Sequence, residues 1–458
     1  MIQDADLELL STAVRGQVSR PGDPEYELDK AGFNPSVIQR PDAVLGAAGV
    51  EDVQNAVRWA ARMDIPVGIQ STGHGAAAMG EGLLINTSRL QDLVVDPEAG
   101  TVTAGAGVRW GAVLEQAVPE GLTAPHGSSG RVGTVGYVSG GGLPLMGRAL
   151  GFASDHVRSL DVVTPDGRLR HLEAGGDDAE LFAALRGGKG NFGVITSVTL
   201  GLTPYQEFYG GALMYPQDAG PAVLEAFRDW TAQLPSDASA SLAFMHLPDA
   251  PFVPEEQRGT SPVHVRFAMF CSQEAGDILL EPMRHAAQPL MDTAGPMDYL
   301  DVGTIHMDPE DPVPSMDRAA LLTALPDDLA DELLRQIGPG SETPLLMTEI
   351  RLMGGALAAE PTIKDSISGR GAGFHIFSAG LNVPPVADPA AAALERFSTA
   401  IEPYSAGSLI NFQGPSGGGP DVYQMWDPDL LRRLQATKAA YDPQNLFRFG
   451  HTVPLSQP

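Results

Sequence analysis

Residues 68–78 read GIQSTGHGAAA, with three glycines and a run of alanines around a single imidazole, His74. Small residues on both sides let backbone come close to a ligand, and His74 is the one side chain tall enough to reach past them. The same pattern also describes a tight turn with an incidental histidine. Two further glycine-rich stretches follow, GSSGRVGTVGYVSGGG over 127–142 and GGKGNFG over 187–193. Exposed N–H groups in succession hold anions. Three such loops in the first half of the chain point to a large phosphate-bearing ligand, with FAD the natural candidate, or else to ordinary turns of a glycine-rich β-domain.

Other chemistries lack their signatures. RGGKGNFG has no GK[ST] ending, so a P-loop is excluded. No GxGxxG joins a strand to a helix ahead of an acidic residue, which removes a Rossmann site. HExxH and GxSxG are absent and the 10 histidines are scattered, so no metal site and no ordinary serine hydrolase is expected. A net charge of −28 weighs against nucleic acid and anionic membranes. The single cysteine, Cys271, allows no internal disulfide. With no secretory signal pattern and no apolar run of spanning length, a cytoplasmic protein is expected.

These loops must be positioned by regular elements. Residues 51–65 place Val53, Ala56, Val57, Ala60 and Ala61 at helical spacing, and Pro66 ends that helix. Short strands are predicted at 67–70, 83–86 and 101–108, with a helix over 110–117. SLDVVTPDGRLRHL reads as a hairpin turning at PDG, DDAELFAAL as a helix, and GVITSVTL as a strand leaving the third loop. Beyond residue 205 the glycine density falls. Strands are predicted at 263–272, 345–353 and 373–381, helices at 222–234, 327–336, 389–401 and 429–441.

STGHG, the glycines of 127–142, GFASDHV, DAELFAALRGGKGNFGVIT and a final YDPQNLFRF together resemble the berberine bridge enzyme-like flavin oxidases of the vanillyl-alcohol oxidase superfamily. The match in order and spacing covers residues 40–205 and 408–453. It implies an α+β protein: a two-subdomain PCMH-type FAD-binding domain (1–205), a substrate domain with an antiparallel sheet flanked by helices (206–405), and a C-terminal segment (406–458) returning to the first. It further implies a bond from His74 to the flavin 8α position. Gln70, Ser71, Thr72, Gly73 and Gly75 would hold the pyrophosphate. Val132, Gly133, Gly136, Gly141 and Gly142 would lie against the flavin, Val194 and Ile195 would run beside its edge or the adenine, and Asn411, Asn445 and Phe447 would return to the cofactor. Many relatives carry a second link from a cysteine; here Ser129 stands at that place, so a single covalent bond through His74 is expected.

Within the substrate domain, Glu349 and Arg351 in LLMTEIRLMGG share one face of a strand. Resemblance favours Glu349 as the base, its pKa raised by desolvation over an apolar ring. An exposed Glu349–Arg351 surface pair is the competing reading. His264 and His375 also project from strands and are expected to be satisfied sheet histidines, while Tyr404, Tyr423 and Trp426 are placed in the pocket or the core. The expected activity is oxidation of a small-to-medium organic metabolite of secondary metabolism, with O₂ as acceptor. A flavin dehydrogenase with another acceptor and a redox-silent ligand-binding relative stay open, as do the substrate and the oligomeric state.

Overall fold

The computed structural model describes residues 2–76, 78–249, 253, 255–414 and 422–455, apart from the side chains of 256, 422 and 423, so Tyr423 lies outside the described side chains. Helix Val50–Met63 buries Val53, Ala56, Val57 and Ala60 on one stripe and stops at Asp64, whose φ of 53° is left-handed. Pro66 follows, and strand Val67–Gln70 runs parallel to Leu83–Asn86, itself parallel to Ala43–Gly46. Gln17–Ser19 closes this four-stranded sheet antiparallel at its edge. The GIQSTGHG loop therefore leaves the carboxyl end of a parallel strand, where ligands collect in such sheets.

A second, five-stranded antiparallel sheet has the order Leu93–Asp96, Thr101–Gly105, Val194–Gly201, Val157–Val163, Leu169–Glu173. The expected hairpin and the GVIT strand fall within it. The third sheet has eight strands. Five long neighbours run Val263–Met269, Ser239–Met245, Leu345–Leu352, Phe374–Leu381 and Ser315–Leu322, and Tyr209–Tyr215 pairs on the outer side of the first. Three of these strands (209–215, 239–245 and 315–322) and helix Gln273–Ala286 add to the predicted elements.

Period-two alternation gives this sheet two unlike faces. Leu242, Val265, Ile350, Ile376 and Leu322 point into a core shared with the helices Gly220–Thr231, Asp327–Ile337 and Ala387–Ile401. The opposite face carries His264, Arg266, Glu349, Arg351, His375 and Phe377.

Helix Pro428–Tyr441 ties the end of the chain to the glycine loops. The buried Lys438 ammonium donates to Asn191 O at 2.8 Å, Phe447 O at 2.7 Å and Asp442 Oδ2 at 2.6 Å. Asp442 also accepts from the Leu446 and Phe447 N–H groups. YDPQNLF is thus a buried knot that fixes the RGGKGNFG loop as well as a helix stop. Lys438→Met should lower unfolding free energy by about 2–3 kcal/mol, less than a fully orphaned charge because Asp442 keeps both backbone donors. Urea denaturation checks this, and an unchanged midpoint would show that the knot carries no net stability.

Candidate functional site

A cavity of about 510 Å³ lies where the first-half loops meet the polar face of the large sheet. Its wall includes Gln70, Ser71, Thr72, Gly73, His74 and Gly75, then Ser129, Val132, Gly133 and Gly136, then Ile195, Asn411 and Phe447. From the sheet side come Arg351, Phe377 and Asp317.

His74 is held on two sides. Its ring stacks on Phe33 at 4.0 Å between centroids with an 11° interplanar angle, and Nδ1 lies 3.0 Å from Thr72 Oγ1. Burial, with Arg109 adding to it, pushes its pKa down to about 4, so the imidazole is neutral at pH 7. Gly73 makes the loop possible: its φ is +70°, and a Cβ there would stand 2.4 Å from Gly32 Cα. Gln70 anchors the loop through Nε2 to the Lys30 and Ala31 carbonyls. Asn411 anchors the opposite wall by donating to Tyr137 O at 2.8 Å.

Several wall groups lack a protein partner. Among the described residues, Ser71 Oγ, Gln70 Oε1, Tyr137 Oη and Asn411 Oδ1 are buried without a hydrogen bond, and a Cβ on Gly136 would meet nothing within 4 Å. Lys189 adds a cation. Its φ of 57° is unusual for a lysine, among the described residues Nζ reaches only Gly136 O, at 3.4 Å, and burial lowers its pKa to about 8. Lys189 lines the cavity with no carboxylate paired to it among the described residues, so an anion in the cavity would match its charge. Orphaned polar atoms, an open glycine and an unmatched cation beside a loop of N–H groups fit a dinucleotide with its pyrophosphate. In the sequence alone, Lys189 bears only on the missing GK[ST] ending of a P-loop.

Other expected site residues fall elsewhere. Gly141 and Gly142 do not line the cavity: added Cβ atoms would meet Ile367 at 3.1 Å and the Tyr137 ring at 2.4 Å, so these glycines serve close internal packing. Val194 is a buried sheet residue beside the cavity wall, and Asn445 sits in the turn after the last helix with its N–H on Asp442 O. Neither lines the cavity. Tyr404 lies in a short turn after helix Ala387–Ile401 and donates to Asp328 at 2.7 Å, away from the cavity. Trp426 is core, its Nε1 donating to Gly187 O.

Glu349 departs most from expectation. It is neither on a surface nor on the cavity wall but 3% exposed. Its carboxylate accepts from Ser241 Oγ and Arg266 Nη1 at 2.8 Å each and from Arg351 Nη2 at 2.9 Å, and lies 3.2 Å from His306 Nε2. Burial alone would raise its pKa. Arg351, the His306 hydrogen bond and Arg266 outweigh burial and hold the carboxyl well below the usual carboxylate range. Being ionised and fully paired, Glu349 is a poor base and a good clamp for Arg351.

Residues 41–173 match the family model described as FAD binding domain, and residues 422–454 match the one described as berberine and berberine like. The chain is thus an FAD-linked oxidoreductase. More narrowly, the two matched segments resemble the berberine bridge enzyme-like FAD-linked enzymes. It is 26% identical to the FAD-linked oxidoreductase YvdP of Bacillus subtilis, over 98% of this chain and 100% of that one. Its fold is similar to that of BBE-like 1 from Physcomitrella patens (TM-score 0.85, 17% identity, 99% and 100% of the two chains). It is also similar to 6-hydroxy-D-nicotine oxidase from Arthrobacter nicotinovorans (TM-score 0.82, 20% identity, 96% and 98%). Among the described residues no group of three or more His, Cys, Asp or Glu could hold a metal ion, and no helix is long and apolar enough to cross a membrane.

Proposed function

We propose that the enzyme oxidises a small-to-medium organic metabolite of secondary metabolism with O₂ as electron acceptor, on an FAD bonded to His74 alone. The observation that carries the single tether is His74 itself, a neutral imidazole braced by Phe33 and Thr72 on the cavity wall. Ser129 supplies only a hydroxyl, accepting from the Arg131 N–H at 3.3 Å, and a hydroxyl cannot form the thioether of a second link. Oxygen as acceptor rests on the family resemblance and on the oxidase among the fold's neighbours.

Bound FAD supplies a two-electron acceptor for hydride. The loop from Ser71 to Gly75 would hold its pyrophosphate, with Lys189 as counter-charge, while Asn411 and Gly136 leave room for the ring system. The proton of the substrate needs an acceptor on the sheet side. The acidic side chains lining the cavity among the described residues are Asp308 and Asp317. Asp308 is engaged by the Ser128 hydroxyl. The Asp317 carboxylate accepts no hydrogen bond from a described residue, and burial, only partly offset by Arg318, raises its pKa to about 6. Asp317 replaces Glu349 as the proton acceptor in this reading.

The tether is tested by acid precipitation of the purified protein. Flavin colour should stay with the pellet of the wild type and wash out of His74→Ala. Colour lost from the wild type removes the covalent bond, and colour kept by the variant moves it to another residue.

A further inference from the structure

Two adjacent cross-strand rows on the polar face of the large sheet bring charged groups together. One row runs Arg266, Ser241, Arg351, His375 and the next runs His264, Ala243, Glu349, Phe377, each neighbour paired in register. His306, at the end of the turn Tyr299–Ile305, closes over them with its carbonyl 3.4 Å from Arg266 Nη2. The cluster holds two guanidiniums and one carboxylate. Burial pushes the pKa of His264 and of His375 down to about 3 and lowers that of His306, so all three imidazoles are neutral and one positive charge is left over.

That excess charge sits among unused hydrogen-bonding groups. Among the described residues, Arg266 Nε, His306 Nδ1, His264 Nε2 and both ring nitrogens of His375 are buried without a hydrogen-bond partner. Arg351 spends Nη2 on Glu349, with His306 Nε2 at 3.5 Å, and has no other partner among the described residues. It is the member of the cluster that lines the cavity. Native proteins pair nearly all buried polar groups, and a surplus charge that reaches the cavity through Arg351 marks a place there for a charged ligand group. A guanidinium clamped by a carboxylate and open on its other edge matches a planar anion in geometry.

We propose that the substrate is an organic anion whose carboxylate docks on Arg351, with Glu349, Arg266 and His306 as positioning residues that aim the guanidinium. This deepens the flavin-enzyme reading and rests on it. Neutral and cationic molecules of the same shape are disfavoured because they leave the surplus charge unmatched.

The test uses the purified holoprotein and calorimetric titration with benzoate, phenylacetate and 2-naphthoate against their carboxamides. At least one carboxylate should bind at least about 10-fold more tightly than its carboxamide, and more weakly as salt rises. Arg351→Met should lose that preference. It leaves the Arg266–Glu349 pair intact and so should fold, as circular dichroism would verify, while Arg351→Lys should keep part of the preference. Equal binding of acid and amide, unchanged carboxylate affinity in Arg351→Met, or no binding of any carboxylate each overturns the proposal. The visible flavin absorbance of the same samples reads the underlying assignment separately. A colourless protein overturns the flavin reading, whatever the calorimeter shows for anions.

Discussion

Glu349→Ala is expected to cost about 3–5 kcal/mol of unfolding free energy, because it strips the carboxylate from between the buried Arg266 guanidinium and that of Arg351 at the cavity wall. Arg266 and Arg351 would then face each other across a site of low dielectric, with His306 offering no charge to separate them. Glu349→Gln keeps the volume and can still accept from Ser241, so it should lose less, and the gap between the two variants measures the charge. The pH dependence has a definite sign. A carboxyl whose folded pKa is depressed contributes stability that is fully present above its unfolded pKa, about 4.3, and is lost as pH falls toward the folded value. The difference between wild type and Glu349→Gln should therefore be constant from pH 6 to 8, as rough working limits, and shrink only in acid. Urea denaturation across that range decides the matter. A Glu349→Gln enzyme as stable as the wild type yet without turnover would restore Glu349 to the role of base.

Local and long-range features of the chain differ in how far the sequence alone discloses them. The loop at 71–75 is legible because its information is contiguous: an apolar strand, small residues, one imidazole. Helix Val50–Met63 is legible from its period, and Val194–Gly201 from its β-branched run. Strand Tyr209–Tyr215 was hidden by Gly210 and Gly211. Those glycines break the apolar pattern for a tertiary reason, since a Cβ on Gly211 would stand 2.4 Å from Ala294 Cα. Helix Gln273–Ala286 was hidden by its internal Pro282. The charged cluster could not be read at all. Its members lie on separate strands and a distant turn, and only the register Arg266–Ser241–Arg351–His375 makes them neighbours. For the same reason the sequence points to a raised Glu349 pKa where the fold lowers it. Desolvation is a property of one buried residue, but the guanidiniums that reverse its effect come partly from another strand. His264 and His375, expected to be satisfied in the sheet, have nitrogens without a partner among the described residues instead, a fact that no periodicity contains.

Asp317→Asn is expected to lower kcat/KM by about 10²–10⁴-fold, the usual contribution of a positioned general base. The side chain stands on strand Ser315–Leu322, which pairs along Phe374–Leu381 at the edge of the large sheet, and it lines the cavity with no hydrogen bond to its carboxylate from a described residue. Its ionised form is the competent one. With a pKa raised to about 6, wild-type kcat/KM should climb as pH rises through 6 and level off above it. Asn cannot titrate, so the variant should be slow and flat across that limb, while Asp317→Glu should retain a shifted limb. Stopped-flow bleaching of the flavin by substrate reads the reductive step directly and avoids confusion with reoxidation. A variant within about threefold of the wild type, or one keeping the acidic limb, would assign the proton to another group. Substrate choice for this measurement follows from the sheet. Asp317 pairs with Ala379, which pairs with Met347, four residues before Arg351. Two strand spacings and four residues along a strand separate Asp317 from Arg351 by roughly 16 Å at the backbone, less the reach of the arginine. A substrate that docks an anion on Arg351 and gives its proton to Asp317 is therefore an extended molecule, and acids too short to span the remaining distance should bind without turning over.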